Sequence, residues 1–229
     1  SCHWVEEATI INRSVFRHES TDMSAKQIAT HHIFRKKLMA RLTRSPELMN
    51  SSDSALLVVD LQAKLMPLIP NQERILWNTR RIIDGANILG VPIAATEQYP
   101  QGLGGTSEAI RPLLQDPHEK LAFSCAECGE IFTSWKEDGR QKVPLVGIEA
   151  HVCVQQTALD LLGNGFAVYL AADAIGARHS VDYETALRRM ESSGATITTS
   201  ESVLFEWCDV AGTDSFKQIS KLIQESAPA

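Results

Sequence analysis

The stretch Val143 to Gly165 reads VPLVGIEAHVCVQQTALDLLGNG and changes character in its middle. Val143 to Ile148 is an apolar run of strand length. From Cys153 onward, apolar residues at 154, 158, 161 and 162 have the spacing of one helix face. Gly163 and Gly165 end that pattern. The expected unit is a buried strand turning sharply into a helix, with a cysteine at the turn. The first N–H groups of a helix lack intrahelical partners and carry partial positive charge. A thiolate placed there is stabilised, so the expectation is a lowered pKa and a nucleophile at neutral pH. The same N–H groups can hold the oxyanion of an acyl intermediate. The competing reading of Cys153 is a small apolar residue buried beneath a helix.

Outward from this unit, short apolar runs alternate with helix-period segments. Ala55 to Asp60 (ALLVVD) predicts the first strand, Ile93 to Thr96 the second and Lys120 to Phe123 the third. Val143 to Ile148 is the fourth, Phe166 to Ala171 the fifth and Ala195 to Thr199 the sixth. Apolar residues at 75, 76, 82, 83, 86 and 89, with Thr79 on the same face, predict a helix over Gln72 to Leu89, closed by Gly90. A second helix is expected over Val181 to Ser193, with acids early and Arg188 and Arg189 late, as the macrodipole favours. Phe216, Ile219, Leu222 and Ile223 suggest a last one. The loop GLGGTS at 102–107 fits neither phosphate-binding pattern and reads as a turn.

Strict alternation of this kind implies right-handed crossovers and a parallel sheet covered on both faces. The fold class expected is α/β, a doubly wound (Rossmann-like) six-stranded parallel sheet, in the order 3-2-1-4-5-6. Ligands of such sheets gather beyond the carboxyl ends of the strands. Asp60, the Glu97–Gln98 pair and Cys153 all fall at such ends, so one crevice can collect them.

The chain has 229 residues, 44% hydrophobic and 22% charged, enough for one domain with a proper core. No apolar run reaches the length of a membrane span. Net charge is −6 and unevenly spread. Residues 1–46 hold 8 basic and 4 acidic side chains, whereas 47–229 hold 14 and 24. The acidic body argues against a nucleic-acid surface there. The basic part is concentrated between Met23 and Ser45, which contains six Lys or Arg and no acid. Both a mitochondrial transit peptide and an ordinary solvated helix fit that segment. The expected location is therefore cytoplasmic or mitochondrial. Residues 1–53 are expected to form an extension and linker, and 54–226 the domain. Five cysteines at irregular spacing do not suggest a secreted disulfide framework.

Asp60 after ALLVV, Lys120 in EKLAFS and Cys153 in GIEAHVCV resemble the Asp-Lys-Cys triad of the isochorismatase-like cysteine hydrolases. TEQYPQGLGGT at 96–106 and SGATITTSES at 193–202 extend the resemblance to the subgroup of isochorismatase domain-containing proteins. The resemblance implies that Asp60 takes the thiol proton and returns it to a leaving amine, with Lys120 supplying positive charge beside both. It implies an oxyanion hole from the backbone N–H groups of Glu149 and Cys153, and a cis peptide between Ile148 and Glu149. It also implies a homo-oligomer. Nicotinamidases of the superfamily bind a metal through an Asp-x-His after the second strand. Here that position reads Glu97, Gln98, Tyr99, so no metal and no cofactor is expected.

The expected function is metal-independent hydrolysis of a C–N bond in a small amide or ureide. Candidate pocket residues, from the loops after the first three strands, are Gln62, Gln98, Tyr99 and Phe123. The alternative is a catalytically silent scaffold of this fold, or an RNA-binding or ribonuclease-associated protein that contacts nucleic acid through its basic N-terminal segment. Cys125-Ala-Glu-Cys128 is half of a zinc site and lacks the residues that flank thioredoxin pairs. It stays open between packing and redox chemistry. His151, two residues before Cys153, reads as a loop or interface residue rather than a base.

Overall fold

The computed structural model describes residues 42–228. The basic segment from Met23, as far as residue 41, lies outside the described residues. Six strands form one sheet in the order β3-β2-β1-β4-β5-β6, every neighbouring pair parallel. They are β1 (Leu56–Val59), β2 (Ile93–Gln98), β3 (His118–Lys120), β4 (Lys142–Ile148), β5 (Ala167–Gly176) and β6 (Thr196–Thr198). The order and parallel sense are those the strand–helix alternation predicts.

The alternation of side chains along each strand divides the core in two. Leu56 and Val58 of β1, with Val146 and Ile148 of β4, face one layer. That layer contains α1 (Gln72–Leu89), and, beyond a one-turn α2 (Pro100–Leu103), the C-terminal α6 (Ser200–Cys208) and α7 (Asp214–Ile223). Leu57 and Val59, with Val143 and Leu145, face α3 (Gly129–Glu137), α4 (Gln155–Gly163) and α5 (Ser180–Ser192). α1 has the bounds its periodicity predicts and ends on Gly90 at φ 70°, a left-handed cap suited to glycine.

Three local differences from the sequence reading bear on the site. The third strand ends at Lys120, where the apolar run predicts that it begins. The Glu127 carboxylate accepts the N–H groups of Leu121 and Ala122, both at 2.7 Å, and so turns the chain away from the sheet. The helix expected to open at Cys153 is preceded by a π-turn over Ala150–Val154, and α4 starts only at Gln155. α6 has no counterpart among the predicted elements. Thr199 caps it by accepting from Ser202 N, within a polar run that hides the start of the helix, and Val203, Leu204 and Trp207 anchor it. The segment before the first strand packs on the body. Met49 is fully buried, and the Glu47 carbonyl accepts the Tyr169 hydroxyl at 2.6 Å.

On β4, Gly147 stands opposite Val59 of β1. A Cβ there would stand 2.1 Å from the Val59 carbonyl oxygen, and its φ is 134°. Only glycine fits, and the contact lies one residue before Asp60. Register between β4 and β5 then jumps from Leu145–Leu170 to Gly147–Ile175.

Candidate active site

Three strand ends bring Asp60, Lys120 and Cys153 together. Asp60 follows β1 in a left-handed conformation, φ 52°, and its side chain is 1% exposed. Lys120 closes β3 with its side chain wholly buried. Its ammonium donates to Asp60 Oδ2 and to Gln98 Oε1, each at 2.8 Å, and to the carbonyls of Phe123 (3.0 Å) and Ala122 (3.3 Å). Burial is the largest influence and opposes the lysine charge, but the Asp60 carboxylate together with the Cys153 and Cys125 sulfurs outweighs it and holds Lys120 above the ordinary lysine range. The Cys153 thiol, 7% exposed, lies close enough to Asp60 to feel its carboxylate charge.

The electrostatics correct one expectation. The turn before α4 does not depress the pKa of Cys153. Burial raises it far above the ordinary thiol range, the Asp60 carboxylate raises it further, and Lys120 only partly offsets them. The resting arrangement is thus a neutral thiol beside a carboxylate–ammonium pair. Helix-terminus stabilisation is outweighed because the sulfur is enclosed beside an anion.

Thr96 and Cys125 complete this cluster, and sequence reasoning assigned neither to it. Thr96 pairs in register with Val59, so it stands beside Asp60, and its hydroxyl donates to Asp60 Oδ1 at 2.8 Å. Cys125 is fully buried, with its sulfur 3.4 Å from Thr96 Oγ1. Register was the available signal for Thr96. Cys125 is brought in by the turn after β3, which no local pattern shows. Its CxxC partner Cys128 faces the Glu119 carbonyl at 3.9 Å instead. Burial raises both thiols to about 11.

Glu149 begins the π-turn, joined to Ile148 by a cis peptide as the resemblance implies. Its carboxylate accepts from Arg178 Nε at 2.5 Å and from Arg178 N at 3.3 Å. His151 lies between Glu149 (3.5 Å) and Asp182 (3.8 Å).

The four pocket candidates separate into two pairs. Gln62 is fully buried as a clamp: it donates to the carbonyls of Gln98 and Gly104 and accepts from Gln98 N. Gln98 is spent on Lys120 and on the Leu121 carbonyl. Tyr99 and Phe123 are about half exposed, at 51% and 52%, on the loops after β2 and β3. At the position of the nicotinamidase Asp-x-His, the Glu97 carboxylate is occupied by Thr106 N and Oγ1, both at 2.6 Å. Among the described residues, no group of three His, Cys, Asp or Glu is placed to hold a metal ion.

A six-stranded parallel sheet with these groups at its carboxyl edge defines a doubly wound α/β protein. Residues 54–202 match the isochorismatase domain, and the chain belongs to that family, in the subgroup of isochorismatase domain-containing proteins. It is 40% identical to isochorismatase domain-containing protein 2A of Mus musculus, over 76% of this chain and 84% of that one. It is 37% identical to isochorismatase domain-containing protein 1 of Danio rerio, over 79% of this chain but only 64% of the relative's length. Among solved structures, the MAR1 ribonuclease of Caenorhabditis elegans superposes with a TM-score of 0.73. It shares 40% identity, over 80% of this chain and 95% of that one.

Proposed function

We propose that the chain is a cysteine hydrolase in which Cys153 attacks, Asp60 moves the proton and Lys120 holds Asp60 charged. The observation that carries this reading is the buried cluster in which the Asp60 carboxylate receives the Lys120 ammonium and acts by its charge on the buried Cys153 thiol. The raised pKa of the thiol requires a nearby base, and Asp60 is the carboxylate that acts on it. Attack on an acyl carbon transfers the thiol proton to Asp60 and forms the S–C bond. The carbonyl oxygen becomes an oxyanion, held by the N–H groups of Glu149 and Cys153. Collapse breaks the C–N bond, and Asp60 returns its proton to the departing amine. Water, deprotonated by Asp60, then releases the acid and restores the thiol.

Two substrates suit a hydrolase of this family, a small amide or ureide and RNA. The geometry supports the first. The Lys120 ammonium is wholly buried among four protein acceptors, so this cation is not left free for a phosphate. The comparisons back the second better, because a relative 40% identical over four-fifths of the chain is described as a ribonuclease, and none of the three relatives is described by an amide. In that reading the basic N-terminal segment contacts RNA, with a strong dependence on salt.

One experiment with two arms decides between them. Ammonia release from a panel of uncharged amides and ureides is measured beside cleavage of end-labelled RNA, for the native chain and for Cys153→Ser. Ammonia release that disappears in Cys153→Ser supports the amide reading. RNA cleavage that disappears in Cys153→Ser supports the ribonuclease reading. Activity on either substrate that survives in Cys153→Ser refutes the role given to the thiol.

A further inference from the structure

Cys125 is the thiol that the proposed reaction leaves unused, although it is buried against the reacting groups. Proton accounting gives it a place. The Asp60 carboxylate has no proton to donate while it pairs with Lys120, so the 2.8 Å contact to Oδ1 uses the only hydrogen of the Thr96 hydroxyl. Thr96 Oγ1 can then only accept from a second neighbour. The neighbour at 3.4 Å is Cys125, so the Cys125 thiol donates. The result is a directed chain, from Cys125 S–H to Thr96 Oγ1 and from Thr96 O–H to Asp60 Oδ1. Its far end is fixed as well, because the Cys125 N–H donates to Thr157 Oγ1 at 2.9 Å. Burial first, and then the Asp60 charge, raise the Cys125 thiol to about 11, which keeps its proton in place.

We propose that Thr96 and Cys125 are positioning residues that orient Asp60 and moderate its basicity toward Cys153. Lys120 occupies Oδ2 and Thr96 occupies Oδ1, so the carboxylate cannot rotate without losing one of them. A donor on Oδ1 also spreads part of the Asp60 charge, which lessens its repulsion of a forming thiolate. The groups that face Cys153 from the packed elements are Asp60 after β1, Lys120 on β3 and Cys125 in the turn after β3. This inference rests on the Asp60–Cys153 coupling of the proposed mechanism but needs no turnover to be tested.

The test is the rate at which iodoacetamide labels Cys153, followed by peptide mass between about pH 7 and pH 9, where rate scales with the thiolate fraction. Thr96→Val keeps the shape and removes the donor. It is expected to slow labelling about tenfold, the equivalent of roughly one pKa unit for a hydrogen bond to a charged group. Thr96→Ser restores the donor and the native rate. Cys125→Ala slows labelling by a smaller factor, and Cys125→Ser restores it. Asp60→Asn is the control. If it leaves the Cys153 rate unchanged, Asp60 is not coupled to the thiol and the hydrolase reading fails. If Asp60→Asn accelerates labelling while Thr96→Val matches the native rate, only the positioning role is overturned. If Thr96→Val does not fold, the Cys125→Ala and Cys125→Ser pair decides: equal rates overturn the proposal, and loss with Ala but not with Ser upholds it.

Discussion

Replacing Lys120 by methionine tests the electrostatic centre of the site. Methionine fills a similar volume, so the substitution removes a charge more than it removes packing. Lys120 and Asp60 are 0% and 1% exposed, which places their contact among buried pairs rather than among surface pairs of marginal value. Removing one partner of a buried pair leaves the other charge uncompensated, at about 3–5 kcal/mol. For a domain of this size that lowers the melting temperature by roughly 10 °C. The double variant Asp60→Asn, Lys120→Met removes both charges, and its loss is expected to fall well below that of Lys120→Met alone. Lys120 ionises above its ordinary value in the folded chain, so its stabilising contribution is complete below about pH 10.5 and is lost as pH rises through the folded value. Urea denaturation followed by circular dichroism, for each variant and across pH, gives the free energies, and thermal denaturation gives the melting temperature. A loss below about 1 kcal/mol for Lys120→Met, or a double variant less stable than the single one, refutes the account of a buried, mutually dependent pair.

Gly147→Ala is expected to cost more than about 2 kcal/mol, because its Cβ overlaps the Val59 carbonyl and its φ of 134° disfavours a side chain. The urea midpoint reports the cost, and a native-like midpoint contradicts the close approach. Met49→Ala empties a fully buried site and is expected to cost about 2–4 kcal/mol; a change under about 0.5 kcal/mol places Met49 outside the core. Arg178→Ala removes the Nε donor and its charge from the largely buried Glu149 carboxylate, keeps the backbone N–H, and is expected to lower activity and stability together. An unchanged melting curve shows the pair to be dispensable.

The sheet was legible because its signal is carried by chain-local patterns. Apolar runs such as ALLVVD and VPLVGI, separated by a helix-period segment ending on Gly90, fix strand count, parallel sense and order through the crossover rule. Lys120 was not legible from pattern. It ends a three-residue strand whose neighbours turn outward on Glu127, and only the family resemblance singled it out. Thr96 was hidden for another reason: its role depends on which atoms of β1 stand opposite it. Cys125 needs a turn of tertiary origin to reach the same point. The reversal of the Cys153 pKa shows the same limit. A helix start can be read from spacing, whereas enclosure of a sulfur beside a carboxylate is a property of the assembled strand ends.

The most direct measurement of the central claim is covalent trapping of the acyl group. The protein is mixed with p-nitrophenyl acetate and quenched in acid, and the acetyl group is located by peptide mass. The account expects a burst of p-nitrophenolate with acetyl on Cys153, no such burst in Cys153→Ser, and a strongly slowed burst in Asp60→Asn. An equal burst in Cys153→Ser, or acetyl found on Cys208 or a lysine but never on Cys153, contradicts it.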